Sequence, residues 1–369
     1  MMYRTYILLF AVSGGLTAAG FFLEAVPFVL AYLPFGFAIL SEDHRVKYVL
    51  ATGHYIWPAI ISAWGLIQLD YSAFYVVPLA ILCSLSMGWL SAQLTVGISA
   101  IVLAMIPFIP DNPLLVTGTF LPGFGVIGLF LLAMALTFIE KRCDIRMRGA
   151  LLSGLMISAV VVPLIIPVGS VQSDPIMRKL DISEAHSITR TGRWGDIDTR
   201  IKRGETVALG ENIFDHTDTG AISHWCRVAR VKEATLFIGV RGPQSVGEVW
   251  KFDTTTCPAP NPIYRAQVGI PTVTGGWLPV GGEDGIWGPS PNKPQWIACF
   301  EGFSVFRWIG VGLSGTNRAI AISNDKWTEP FPVGRLRRKV GNEFEKLFGI
   351  DVFYAETGKS FLIERAVQQ

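Results

Sequence analysis

Long apolar runs broken by short polar stretches fill the first 168 residues, and short apolar segments alternating with amphipathic ones fill the rest. A bilayer core of about 30 Å takes roughly 20 apolar residues per helix, because unpaired backbone groups are too costly in lipid. On that measure the pattern predicts seven spans, near 6–21, 23–40, 49–67, 72–91, 94–110, 119–139 and 150–168, the first two cramped and carrying Gly and Pro. Past residue 169, β-branched and aromatic runs of strand length occur at Thr206–Leu209, Thr235–Val240, Gln295–Ala298, Arg318–Ile322, Ile350–Tyr354 and Ser360–Ile363. Between them Leu336, Val340, Phe344, Leu347 and Phe348 share one helical face ahead of Gly349, a stop signal; Phe303, Phe306, Ile309 or Gly310, and Leu313 outline a second helix. Alternating strands and helices predict an α/β layered domain over 169–369, behind a membrane module over 1–168. The proline- and glycine-rich segment 241–294 reads as long loops, where sites on such scaffolds commonly sit.

Charge sharpens the division. Up to Pro167 there are seven Lys/Arg and seven Asp/Glu, while the remainder carries 24 basic and 22 acidic residues, so a net charge of +2 hides two different solvents. Basic residues gather in two breaks, Arg45 with Lys47 and Lys141 with Arg142, Arg146 and Arg148; the breaks around Asp70 and Asp111 have none. With Arg4 and both basic breaks in the cytoplasm, seven crossings put the C-terminal domain outside it, a multi-pass inner-membrane protein with a periplasmic domain. No small-residue cleavage site followed by soluble sequence marks the first run as a signal peptide. The interspersed charges of the second domain give no nucleic-acid footprint. Nor does any Arg stripe or chain of acids in the runs point to an ion pump or channel.

Two positions in the apolar half invite a reading. Glu24 is the carboxylate at the edge of an apolar run; it is either a buried functional acid or the mark of a turn between two short spans. His54, with Tyr55 and Trp57, reads as an interfacial aromatic belt.

The candidate chemistry lies at strand ends. Trp296-Ile297-Ala298-Cys299-Phe300-Glu301-Gly302 delivers a thiol to a sharp turn ahead of a helix, where backbone N–H groups lower a thiol pKa and can hold an oxyanion. Thr206-Val207-Ala208-Leu209-Gly210-Glu211-Asn212 ends another strand on a carboxylate. Parallel neighbours set such ends side by side, so Glu211 as general base and Cys299 as nucleophile form a thioester-forming pair; taken singly, each is more often a core thiol or a solvated acid. His224-x-Cys226 lacks zinc spacing. Gly310 to Gly315 matches a dinucleotide glycine pattern by letter only. Whether Cys226 and Cys257 form a disulfide is open. Arg335-Leu336-Arg337-Arg338-Lys339 reads as a solvated helix face with some attraction to anionic headgroups.

Three motifs in this order, Gly210-Glu211-Asn212, Cys299-Phe300-Glu301 and Ser323-Asn324-Asp325-Lys326-Trp327, resemble the nitrilase (carbon–nitrogen hydrolase) superfamily, which uses a Glu–Lys–Cys triad. The ending from Gly349 to Ile363 looks like that family's strand–turn–strand. A multi-span module followed by such a domain resembles apolipoprotein N-acyltransferase, and more nearly the TraB family of plasmid conjugal-transfer proteins. The resemblance implies a multi-span α-helical membrane module followed by a nitrilase-like α-β-β-α sandwich. It further implies Cys299 as nucleophile, Glu211 as base, Glu301 orienting the site, binding contributions from Asn324, Asp325 and Trp327, and Glu283 as an additional acid. No cofactor or metal is implied. Implied partners are membrane lipids, a lipoprotein or peptide substrate and other transfer proteins.

Two departures bear on activity. Where the family has a lysine after a tyrosine, this chain reads Ile263-Tyr264-Arg265-Ala266, and Arg265 keeps the charge but not the point ammonium. The chain also has little of the acyltransferase's C-terminal extension. Two function classes follow: an enzyme of Cys-thioester acyl transfer or amide hydrolysis, or a catalytically inactive relative that binds a lipid, peptide or partner protein in the same pocket.

Overall fold

The computed structural model describes residues 2–68, 71–105, 111–165, 177–179, 201–243, 247–257, 260–266, 295–316, 318–324 and 330–357. They form two compact units: Met1–Gly169 joined by Phe303–Phe306 and Pro330–Gly349, and Ser170–Gly302 joined by Arg307–Glu329 and Ile350–Gln369. The first division falls beside the expected boundary, but two later segments return to the helical unit.

The helical unit is built from α1 (Met2–Phe22), a 3-10 turn Phe28–Tyr32 running into α2 (Leu33–Leu40), α3 (His44–Gln68), α4 (Ala73–Gln93) and α5 (Val96–Ala104). A second 3-10 turn, Pro113–Val116, runs into α6 (Thr117–Phe120), followed by α7 (Gly125–Arg142) and α8 (Ile145–Ile165). Helical segments thus overlie all seven predicted runs. Among the described residues, two are long and apolar enough to cross a membrane, Tyr3–Phe22 and Ala73–Gln93; a third counts if Pro113–Phe120 and Gly125–Arg142, bent by 112°, make one span. The reasons are local: α2 is eight residues long, α5 nine, and α3 carries His44, Arg45, Lys47 and His54 within its 25.

Polar contacts fix which helix ends meet. Lys47 Nζ binds Glu140 Oε1, and the other oxygen of Glu140 accepts the Val96 N–H at 2.8 Å. Arg148 Nη1 donates to Ile39 O at 3.2 Å, and His44 Nδ1 meets Ala92 O at 2.9 Å. The starts of α3, α5 and α8 therefore share one end with the finishes of α2, α4 and α7. Close approach needs small residues: a Cβ on Gly97 would lie 2.0 Å from Ala133 O.

At the other end lies α11 (Val333–Phe348), the amphipathic helix ending at Gly349, whose φ of 66° explains the stop. Its basic run is not a solvated face. Lys339 Nζ donates to Gly20 O and Leu23 O, each at 2.8 Å, and to Val26 O at 3.1 Å, while Arg335 Nη1 reaches Phe22 O at 3.3 Å. The last carbonyls of a helix lack intrahelical partners and carry the negative end of its dipole, so cations cap α1. Arg337 is 1 % exposed with its guanidinium 5.4 Å from the Phe303 ring. Glu343 accepts from Thr119 N at 2.6 Å and Thr119 Oγ1 at 2.7 Å, and a Cβ on Gly118 would sit 1.8 Å from Glu343 O. Glu24 lies in the exposed turn after α1, 3.9 Å from Arg335, so the turn reading of Glu24 holds and the buried-acid reading does not.

The second unit is a pair of facing sheets. The first contains β1 (Met177–Lys179), β2 (Thr206–Asp215), β3 (Thr235–Arg241), β4 (Gly247–Phe252) and β5 (Pro262–Arg265) in sequence order; β1 to β3 are parallel, and β4 and β5 each run antiparallel to the strand before. The second contains β6 (Gln295–Ala298), β7 (Arg318–Asn324) and β8 (Asp351–Thr357), all parallel. Strand alternation sends Val207, Leu209, Leu236 and Ile238 towards α9 (Thr219–Lys232) and its buried Trp225. Ala208, Phe237 and Val249 point the other way, onto Trp296, Ala298, Ile320 and Ile322 of the second sheet. Asp218 caps α9 by accepting the Ala221 N–H at 2.9 Å. The Cys226–Cys257 disulfide, Cα atoms 5.5 Å apart, ties α9 to the turn after β4. The predicted strand Ser360–Ile363 lies outside the described residues.

Candidate functional site

Glu211 and Cys299 stand on different sheets rather than on adjacent strands of one. Between the pairs Leu209–Ile238 and Phe214–Val240, β2 spends four residues, Gly210 to Ile213, opposite Gly239 alone. Such an irregularity re-aims side chains and is over-represented beside active sites. Cys299 opens the 3-10 turn Cys299–Phe303 directly after β6, and α10 (Val305–Leu313) follows it. For Glu211, Cys299 and Asn324 the backbone alone is described.

Glu301 ties the two sheets together. It is fully buried; its Oε2 accepts the Ala298 N–H at 2.8 Å and the Tyr264 hydroxyl at 2.5 Å. Because β5 is antiparallel to β4, which is antiparallel to β3, β5 runs with β2. Tyr264, one residue from the end of β5, reaches past the end of β6, so the carboxyl ends of β5 and β6 share one side. The register Gly239–Val249–Tyr264 then puts the β2 irregularity in the same row of the first sheet as Tyr264. Arg307 Nη2 donates to Trp296 O at 2.7 Å, with its guanidinium carbon 5.8 Å from the Tyr264 ring centre. Burial, with the Glu301 carboxylate beside it, pushes the Tyr264 phenol well above its ordinary range against the opposing pull of Arg307.

Arg265 alternates to the opposite face from Tyr264. Its Nε lies 2.7 Å from Oε1 of Glu248, its cross-strand partner, and its side chain is 48 % exposed. Glu248 is buried and accepts Trp250 Nε1 at 2.7 Å. Glu301 thus brings Tyr264 beside the turn that holds Cys299, Glu211 lies on β2, separated from β5 by β3 and β4, and Arg265 is engaged with Glu248. Asn324 ends β7 opposite Thr357. Asp325, Trp327 and Glu283 lie outside the described residues.

Sequence reasoning missed Tyr264 and Glu248 as site-shaping residues. Period-2 alternation separates Tyr264 from Arg265, but only once the strand and its facing sheet are known. In the helical unit it missed a buried polar network: His54 Nε2 lies 2.5 Å from Asp111 Oδ2, Asp111 Oδ1 accepts the Tyr32 hydroxyl at 2.7 Å, and His54 Nδ1 sits 2.9 Å from both Ala31 O and Thr17 Oγ1. His54 is fully buried, ringed by Phe21, Tyr32, Phe35 and Tyr55 at 4.7–5.9 Å, so it is not part of an interfacial belt. No group of three or more His, Cys, Asp and Glu suited to a metal ion occurs among the described residues. No family model matches the chain, and no curated protein matches it.

Proposed function

We propose that the chain is a multi-pass membrane protein whose two-sheet unit is a nitrilase-like α-β-β-α domain performing Cys-thioester acyl chemistry in support of plasmid conjugation. The observation that carries the reading is the Tyr264–Glu301 hydrogen bond, which joins the carboxyl end of β5 to the turn holding Cys299, in the sheet row that also holds the Glu211 irregularity. In the proposed reaction Glu211 takes the thiol proton and the Cys299 sulfur attacks the acyl carbonyl. The C–S bond forms, and the leaving group departs with the proton returned by Glu211. An amine or water then attacks the thioester, giving a proton to Glu211 as the C–S bond breaks, and the sulfur leaves and recovers that proton. Backbone N–H groups of the Cys299 turn stabilise the oxyanion, and Glu301 orients the site. The proposed binding residues are Asn324, Asp325, Trp327 and Glu283.

A seven-crossing topology with the two-sheet unit in the periplasm is part of the proposal. The helix-end contacts that gather alternate ends support it, as does α11 capping the finish of α1 at the end opposite Lys47 and Glu140. The Cys226–Cys257 disulfide fits an oxidising compartment.

A second reading, a binding protein without catalysis, is favoured by one observation: the charge of Arg265 is engaged by Glu248 on the opposite sheet face from Tyr264. The deciding experiment is the pH dependence of Cys299 alkylation in the detergent-purified protein and in Glu211→Gln, followed by peptide mapping. A thiolate that titrates below the unperturbed value of about 8.5, with a profile altered by Glu211→Gln, is the expected result for the enzyme. An inert thiol with one profile in both proteins sinks the Glu–Cys pairing.

A further inference from the structure

The start of α1, the start of α3 and the finish of α4 enclose a groove of about 520 Å³. Two of these three helices, α1 and α4, are those long and apolar enough to cross a membrane on their own, so the groove opens at the level where a span emerges from lipid. Its lining suits that depth: Tyr3, Tyr6, Tyr48 and Trp89 pair an apolar ring with a polar tip, and Phe10 continues the wall towards the middle of α1.

Charge selects the occupant. Of the cations at this end, Lys47 is consumed by Glu140. Arg45 lines the groove, is exposed, and makes no ion pair among the described residues. The nearby acids are engaged: Asp43 Oδ1 accepts the Arg45 backbone N–H at 2.8 Å, and Glu42 faces Arg148 at 3.8 Å. A planar guanidinium beside a ring of interfacial aromatics matches a phosphate above a glycerol backbone, with an acyl chain running down the apolar wall.

We propose that this groove binds one anionic phospholipid, its phosphate on Arg45, its glycerol level against Tyr3, Tyr6 and Tyr48, and one chain against Phe10 and Trp89. The site is independent of the chemistry proposed for Cys299, and is built wholly from the helical unit.

The test is native mass spectrometry of the full chain in detergent, titrated with phosphatidylglycerol or phosphatidylcholine. The expected result is one retained phosphatidylglycerol per chain in preference to phosphatidylcholine. Arg45→Gln should lower that retention about fivefold, the order expected for one interfacial cation. Arg45→Lys should recover part of it, and Trp89→Ala should lower retention of both lipids. Arg146→Gln, an exposed cation outside the groove lining, should change nothing. Equal retention of both lipids in the parent protein overturns the proposal in favour of non-selective surrounding lipid. Equal losses in Arg45→Gln and Arg146→Gln overturn it in favour of diffuse charge attraction. Retention unmoved by Trp89→Ala removes the groove as the site.

Discussion

The helical unit and the two-sheet unit both bury carboxylates, and Glu140 in the first and Glu301 in the second are held by different groups. In the helices, Glu140 and Asp111 each face a cation-forming side chain, Lys47 or His54, and each pair joins elements far apart in sequence. In the sheets, Glu301 accepts an amide N–H and a phenol within the turn that opens on Cys299, and Glu248 faces Arg265 across the first sheet. Buried pairs of the first kind act as staples whose register is fixed by packing, whereas Glu301 ties the end of a strand in one sheet to the turn after a strand in the other.

Breaking the staples should give the largest effects. Lys47→Met or Glu140→Gln alone strands a buried charge or polar group and should cost about 3–5 kcal/mol, with the double substitution recovering much of it. Thermal unfolding of the four proteins in one detergent measures the coupling, and additive losses would remove the pair as a staple. Next, Cys226→Ala opens a link across a sequence separation of 31 and should cost about 2–4 kcal/mol, seen as a shift in the denaturation midpoint of the two-sheet unit. Gly118→Ala forces α11 away from α6 and should cost about 1–3 kcal/mol, with faster amide exchange across 333–348. Tyr264→Phe removes one donor from Glu301 and should cost about 1 kcal/mol. The same change should alter the Cys299 alkylation profile; an unaltered profile would detach Tyr264 and Glu301 from the thiol.

The smallest effect is one of pH. Burial raises the carboxyl pKa of Asp253, but the Lys251 ammonium at 2.6 Å and donors from Thr255 and Thr256 outweigh it and hold the group well below the ordinary carboxylate range. A depressed folded value means stability present above the unfolded pKa of about 4 and lost as pH falls through the folded one. The stability difference between the parent and Asp253→Asn should therefore be constant near neutrality and shrink only in strong acid; a difference that fades already near pH 6 would assign it to another group.

Much of this was legible in the sequence because it rests on local periodicity. The strand Gln295–Ala298 and the helix stop at Gly349 fall as the residues predict, and each of the seven apolar runs contains helix among its described residues. What stayed hidden depends on partners distant in sequence. His54 looks interfacial until Asp111, from a break between runs, is seen against it. Arg335 to Lys339 reads as a wet face because nothing in an amphipathic pattern says that helix carbonyls, rather than water, wait opposite. Arg265 reads as a site charge until alternation puts it on the Glu248 side. The irregularity in β2 is equally invisible, since four residues against one is a property of pairing rather than of either strand.

The return of Pro330–Gly349 to the helical unit has a consequence for how the protein is made. A ribosome delivers α1 to α8 first and nearly all of the two-sheet strands next, and only then the helix that caps α1 and receives Thr119. The helical unit therefore stays open at that end until late in synthesis. No single cut in the chain yields either unit whole, and anything that halts elongation before residue 339 leaves the Gly20, Leu23 and Val26 carbonyls without their lysine.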